Sequence, residues 1–311
     1  MQSSSNVHGR SVFRNPRFPV AGLGLSLLDM ADGYHDFGDQ DAAVVRRDYR
    51  RDGVVCLRDV IGAGERARIA EGIEADRAEP GPFFRDQTPD GSPARYQFSY
   101  WMWPDNPAIA EVALRGSAPG LVAALLEAER LHLLMDNWFL REAGALNGAP
   151  WHHDEPYFDF EGGQMAAVWI ALEDVSAAEG LTFIAGSHRD QPLFQPKNFK
   201  LDQPFDDVGP DYAVMPDFDA PAFEARRRCW DMAVGDCLIF DLRTVHAATA
   251  GQRPLDRTIR RLSLRYGDEG VRFRPRGPWT RETSDYLIAQ GQVPNAPLEC
   301  PMLPVVWPPV R

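Results

Sequence analysis

The chain has 311 residues, of which 44% are hydrophobic and 25% charged. That is enough apolar material for a substantial buried core and too much for a disordered polymer. Its 45 acidic residues against 33 basic ones give a formal net charge of −12, so the average surface repels nucleic acid and anionic membranes, and neither is expected as a main partner.

Residues 1–40 are polar, with scattered glycine and proline, and read as an extension outside the main body. The segment "RFPVAGLGLSLLDMADGY" within it has a basic flank and a short apolar run but no convincing cleavage site, so no signal peptide is expected. The main body is expected to be one domain over residues 41–311. Its first part, 41–130, reads as helical: a helix, the short apolar strand "GVVCLRDV", and a second amphipathic helix by residue 80. A further helix is predicted over 107–129, starting at Pro107 and broken near Gly116 to Gly120. No apolar run is expected to serve as a membrane span.

After residue 130 the pattern changes. "LHLLMDNWFLRE", "QMAAVWIALEDV", "GLTFIAGS", "GDCLIFDLRTVHAA" and "IRRLSLRYG" are short apolar or alternating runs bounded by turn residues. Strands in succession without intervening helices predict an antiparallel barrel or sandwich over 131–275, with a tail over 276–311. The cysteines, Cys56, Cys229, Cys237 and Cys300, form no CxxC pair, and free thiols in a reducing cytoplasm are expected.

Chemistry concentrates in "APWHHDEPYF", residues 149–158. An oxygen-activating iron needs neutral imidazoles, a hard carboxylate and open positions, as two histidines and one carboxylate on one face provide. In extended chain, residues two apart point the same way, so His152 with Asp154 or His153 with Glu155 could grip an ion, and spacing does not choose between them. His246, closing "GDCLIFDLRTVHAA", is the natural third ligand. His188 reads as a turn residue, His132 as a strand residue, and His8 and His35 belong to the extension.

"PWHHDEPYF", "VWIALEDVSAAEGLTFIAGSHR" and "GDCLIFDLRTVHAATA", taken in order, resemble the phytanoyl-CoA dioxygenase family of Fe(II)- and 2-oxoglutarate-dependent oxygenases. The resemblance runs from about residue 50 to about 275. It implies a mainly β fold with α, a double-stranded β-helix (a cupin-like jelly roll) with the helical N-terminal region packed on it. It also implies that His152, Asp154 and His246 are the metal ligands, with His153 in a variable position, and that Fe(II), 2-oxoglutarate and O2 are used. The implied reaction is hydroxylation of a small organic molecule of natural-product, amino-acid or acyl type, with release of succinate and CO2. Halogenating relatives replace the ligand carboxylate, and Asp154 is retained.

In the family an arginine after the distal histidine holds the far carboxylate of 2-oxoglutarate, where a guanidinium gives bidentate bonds that an ammonium cannot. Arg257, Arg260 and Arg261 fall in that window. Arg261 is favoured because Arg261 and Ser263 share a strand face. The usual arginine position aligns with Ile259, however, which leaves Arg257, a shifted register or altered co-substrate use open. Trp169 matches the tryptophan that lines the co-substrate pocket, and Met135 and Asn137 are weaker candidates for it. Tyr96, Phe98, Tyr100, Trp101 and Trp103 could line a substrate pocket or cap the barrel, and Arg95 or Arg141 could meet an anionic substrate group. Two other readings are a jelly-roll binding protein without turnover and a cupin-like metal enzyme that uses no keto acid.

Overall fold

The structure is a computed structural model that describes residues 37–145, 148–189, 191–199, 203–248 and 254–309. The extension through residue 36, with His8 and His35, lies outside the described residues. Helix α1 (Ala42–Asp52) starts where the Asp41 carboxylate accepts from the amides of Ala43 and Val44, and stops at Gly53, which adopts φ +79°. A Cβ at Gly53 would sit 2.4 Å from both His188 Nδ1 and Thr244 Oγ1, so this helix end needs glycine for its conformation and for its packing. Strand β1 (Val54–Leu57) and helix α2 (Ala63–Ala78) follow as the sequence predicts.

The predicted 107–129 helix is two helices, α3 (Pro107–Arg115) and α4 (Ser117–Leu126). Asn106 caps the first through Ile109, and Glu65 accepts from the amide and hydroxyl of Ser117 at the break. Pro107–Leu126 does reach the length and hydropathy of a membrane span, contrary to the reading of the sequence, but it is 67% buried inside the protein. Every residue from Ala118 to Leu126 is buried, and α4 packs against α1 and the main sheet. Its apolar character is that of a core helix.

The remaining strands are β2 (Arg85–Asp86), β3 (Tyr96–Tyr100), β4 (Leu131–Arg141), β5 (Ala149–His152), β6 (Met165–Ala171), β7 (Thr182–Ile184), β8 (Arg227–Arg228), β9 (Cys237–Asp241), β10 (His246–Ala248), β11 (Ile259–Asp268) and β12 (Val305–Trp307). Short two-residue pairings in the connecting loops carry no label. An eight-stranded antiparallel sheet runs β1-β9-β6-β11-β4-β3-β2, with β12 also on β4, and a four-stranded antiparallel sheet runs β8-β7-β10-β5. Phe183 from the small sheet packs on Phe240 from the large one, ring centroids 5.1 Å apart, so the two sheets close on each other as a jelly roll. Helices α1 to α4 cover the outer face of the large sheet. There the Tyr266 hydroxyl donates to Ala113 O and Trp138 Nε1 donates to the Asp76 carboxylate.

A second buried carboxyl ties the connection between β3 and α3 to β4. Asp136 is fully buried, its Oδ2 accepts from the Met102 amide, and Oδ1 has no partner among the described residues. Burial, aided by nearby Asp76, pushes its pKa up to about 7. The unfolded chain therefore loses this proton near pH 4 while the folded chain keeps it to near pH 7, so stability falls with rising pH across that window and is level above it. Asp136→Asn should remove a pH-dependent loss of at most about 4 kcal/mol. In urea melts the variant's gain on the native chain should be larger at pH 8 than at pH 5, since only part of the window has been crossed at pH 5. Equal differences at both values would show that Asp136 is already ionised in the fold.

Candidate metal centre and co-substrate pocket

His152 ends β5, His246 begins β10, and the two face each other directly across the strand pair. Each Nδ1 lies against the carbonyl two residues back, Pro150 O at 2.8 Å and Thr244 O at 2.9 Å. A ring that donates from Nδ1 presents its lone pair at Nε2. Burial holds both imidazoles below their usual range, His152 down to about 3, so they stay neutral and able to ligate.

Asp154 reaches the same point by a different route from the one its spacing suggests. The chain leaves the strand after His152, and Asp154 is right-handed helical (φ −72°, ψ −37°) at the start of a turn over Glu155–Tyr157. Its Oδ1 is 3.7 Å from His152 Nε2 and 3.7 Å from His246 Nε2, and one donor atom from each residue lies within 4.8 Å of the others. Burial would raise its pKa, but Arg265, His246 and His152 outweigh this and hold it below the usual carboxylate range. Two neutral imidazoles and a carboxylate form a donor set suited to a divalent first-row metal.

The other parity pair is not brought together. His153 is 2% exposed and turns away, its Nε2 accepting from the Phe194 amide at 2.9 Å. Glu155 pairs with Arg276 at 3.0 Å. His188 lies in a turn and His132 in β4, as expected.

The inner face of β11 carries Arg261, Ser263 and Arg265, all buried. In register, Ser263 lies between Asn137 on β4 and Trp169 on β6, and Arg265 lies opposite Met135. The co-substrate candidates named from the sequence, Arg257 and Arg260 excepted, therefore share one patch beside the candidate metal centre. Arg261 spreads over the Trp169 ring at 5.0 Å, and its Nη1 donates to Glu173 and to Arg260 O. Burial lowers its pKa to about 10, with Glu173 opposing, so it remains charged near neutrality. Ser263 Oγ and Arg265 Nη1 are buried and lack partners among the described residues, an unusual state that a bound polar ligand would relieve.

Arg257 lies elsewhere, on an outer groove of about 750 Å³ with Arg58, Asp174 and Glu179, and forks onto the Glu179 carboxylate. Arg260 points to the other face and pairs with Glu173 at 2.9 Å. Of the aromatic run, Trp101 and Trp103 are buried, while Tyr96, Phe98 and Tyr100 are half-buried on β3. Arg95 pairs with Asp86 at 3.2 Å, and Arg141 lies over the Tyr96 ring at 4.2 Å.

A sequence profile of the phytanoyl-CoA dioxygenase (PhyH) family matches residues 49–257. The chain belongs to the phytanoyl-CoA dioxygenase family. It is a non-haem iron enzyme, an oxygenase dependent on Fe(II), 2-oxoglutarate and O2. Solved structures share this fold. The epimerase SnoN, in complex with Fe3+, alpha-ketoglutarate and nogalamycin RO, superposes with a TM-score of 0.66 at 24% identity, over 85% of this chain and 98% of that one. The carbocyclase SnoK from nogalamycin biosynthesis gives 0.64 at 21% identity, over 86% and 99%. EvdO2 from Micromonospora carbonacea var. aurantiaca, complexed with 2-oxoglutarate, gives 0.53 at 19%, over 78% and 96%. No curated protein matches the chain significantly in sequence.

Two features of this PhyH site went unassigned in the sequence. Arg265 donates from Nε to Asp154 Oδ2 at 3.0 Å and holds the same oxygen through Nη2 at 2.9 Å, which leaves Oδ1 turned to the imidazoles. Its signal was available, since Arg261, Ser263 and Arg265 alternate along one strand face. The second is the C-terminal segment that clamps the loop after Asp154. Arg276 holds Glu155 and donates to Phe158 O, Trp279 Nε1 donates to Pro156 O at 2.8 Å, and Thr283 donates to Asp159 at 2.8 Å. No local pattern marks contacts between residues so far apart.

His153 supports the loop and stands outside the donor set. His153→Ala should orphan the Phe194 amide and lower stability by about 1–3 kcal/mol. Iron affinity, read by anaerobic titration of the folded variant, should stay within a few-fold of the native value, whereas His152→Ala should lose it. The reverse ranking would overturn the assignment.

Proposed function

We propose that His152, Asp154 and His246 hold the Fe(II), that Arg261 and Ser263 receive the far carboxylate of 2-oxoglutarate, and that residues 41–311 work as one catalytic domain. The reaction is hydroxylation of a small organic substrate with release of succinate and CO2. The observation that carries this reading is the convergence of three buried donor atoms within 4.8 Å, beside a patch of buried guanidinium and orphaned polar atoms. The nogalamycin-pathway enzymes that share the fold make natural products the first class to screen. Four free thiols, three of them buried, fit a reducing cytoplasmic setting.

Bound iron supplies O2 activation and the oxidising power for attack on the substrate. The protein's own part is positional. The carbonyls of Pro150 and Thr244 fix the imidazole tautomers, and Arg265 restrains Asp154 so that one oxygen is available to the metal. Trp169 lies against the Arg261 guanidinium and shields it from water, which strengthens its hold on a carboxylate.

Asp154→Ala should abolish O2-dependent succinate formation and substrate oxidation, measured together by coupled succinate assay and mass spectrometry, in a variant that still folds. Retained turnover would remove Asp154 from the centre. Arg265→Met should weaken iron binding roughly 10- to 100-fold by loosening that carboxylate. Arg261→Leu should raise the 2-oxoglutarate requirement by at least about tenfold while the iron requirement stays put. An unchanged 2-oxoglutarate requirement would exclude Arg261 as its partner.

A further inference from the structure

Beside His152 the site has a second wall, made of rings. Phe199 stands edge-to-face to His152 with ring centroids 4.6 Å apart. It is 43% exposed and is the one phenylalanine among the large apolar side chains left exposed in the described residues. A lone exposed apolar residue is ordinary, but this one adjoins a proposed metal donor and continues into further rings. Tyr157 lies 5.3 Å from Phe199 and 6.4 Å from Phe205, and Phe205 stacks on Trp279 at 6.1 Å with 14° between the planes.

The polar tips in this wall are tied into backbone. The Tyr157 hydroxyl accepts from the Lys197 amide at 2.8 Å and donates to Lys197 O, and Trp279 Nε1 donates to Pro156 O. The wall therefore offers ring surface: Arg261 and Arg265 lie on β11 with the co-substrate patch, and the buried guanidinium of Arg276 behind the loop is taken up by Glu155 and the Phe158 carbonyl. A ligand that covers such a surface gains apolar burial and ring-to-ring contact, and a flat ring gains more of both than a flexible chain or a puckered ring.

Resting on the reading of the centre given above, we propose that the substrate carries a planar aromatic ring system that packs on Phe199 and the adjoining rings. Packing there places a ring substituent next to the side chains of His152, Asp154 and His246.

The test is equilibrium dialysis of the full chain, loaded with Fe(II) and 2-oxoglutarate under anaerobic conditions, against 1,8-dihydroxyanthraquinone, its perhydro counterpart and lauroyl-CoA. The flat probe should bind about tenfold or more tightly than either of the others, Phe199→Ala and Trp279→Leu should each erase that preference, and Phe199→Tyr should keep it. Equal binding of flat and saturated probes, no binding of the flat probe, or an unaltered preference in both truncations overturns the proposal. The visible charge-transfer band formed when 2-oxoglutarate is added to the Fe(II) protein reports on the metal centre separately. Its persistence in Phe199→Ala shows that the variant is folded and loaded, and a band without ring preference overturns the substrate class while leaving the centre in place. A missing band in the native chain overturns the centre, and this proposal with it.

Discussion

The site depends on the pairing of His152 with His246 across β5 and β10. A backbone ladder sets the separation of two facing residues far more rigidly than side-chain packing does. The imidazoles consequently stand with centroids 4.2 Å apart before anything binds. β10 lies between β7 and β5, so His246 is held from both sides, and its ring rests on Phe183 at 5.4 Å and Phe240 at 4.8 Å. His152 is on an edge strand and takes its position from that partner. The small sheet thus acts as a jig for the proposed metal centre, and the large sheet supplies the opposing surface.

That opposing surface must carry charge in a place where charge is costly. Asp154, Arg261 and Arg265 are each at most 6% exposed, and an isolated buried charge would shift its pKa or destabilise the fold. The structure meets the problem by local compensation. Arg265 answers Asp154, and Glu173 answers Arg261 while also binding Arg260. Compensation is incomplete at Arg265 Nη1 and Ser263 Oγ. Those two unanswered atoms are ones that the proposed anionic co-substrate would answer.

Much of this was legible beforehand because it rests on local pattern. Period-two alternation gave the strands, the proline and glycine at positions 107 and 116 gave the broken helix, and linked motifs picked out His152, Asp154 and His246, which the fold brings together. Parity failed at Asp154 because the chain stops being extended there: Pro156 lies in the turn that follows, and a helical residue does not obey strand alternation. Parity also could not tell apart the placements of Arg257 and Arg261, which differ because Glu179, a residue on another loop, ties Arg257 to the outside. The 107–126 stretch looked too short to span a membrane and is not; only its burial identifies it as core. In the last two cases the missing information was a contact between distant parts of the chain.

The C-terminal segment shows how such contacts connect the two halves of the site. Arg276 and Trp279 hold the backbone of residues 156–160, the loop that starts at Asp154, and the Trp279 ring is at the same time a member of the aromatic wall. Tyr157 links the same pieces from the other side, since it sits on that loop and touches both His152 and Phe199. Any displacement of this segment therefore shifts the turn that aims a metal carboxylate and reshapes the surface beside it in one movement. Selection on the wall for a new substrate is constrained accordingly, because residues 157 and 279 cannot be altered for shape alone without bearing on the loop that carries Asp154. Phe205 has, among the described residues, no such hold on that loop's backbone and, unlike Phe199, no ring contact with His152, which leaves it as the position where the wall can change with least disturbance to the proposed metal centre.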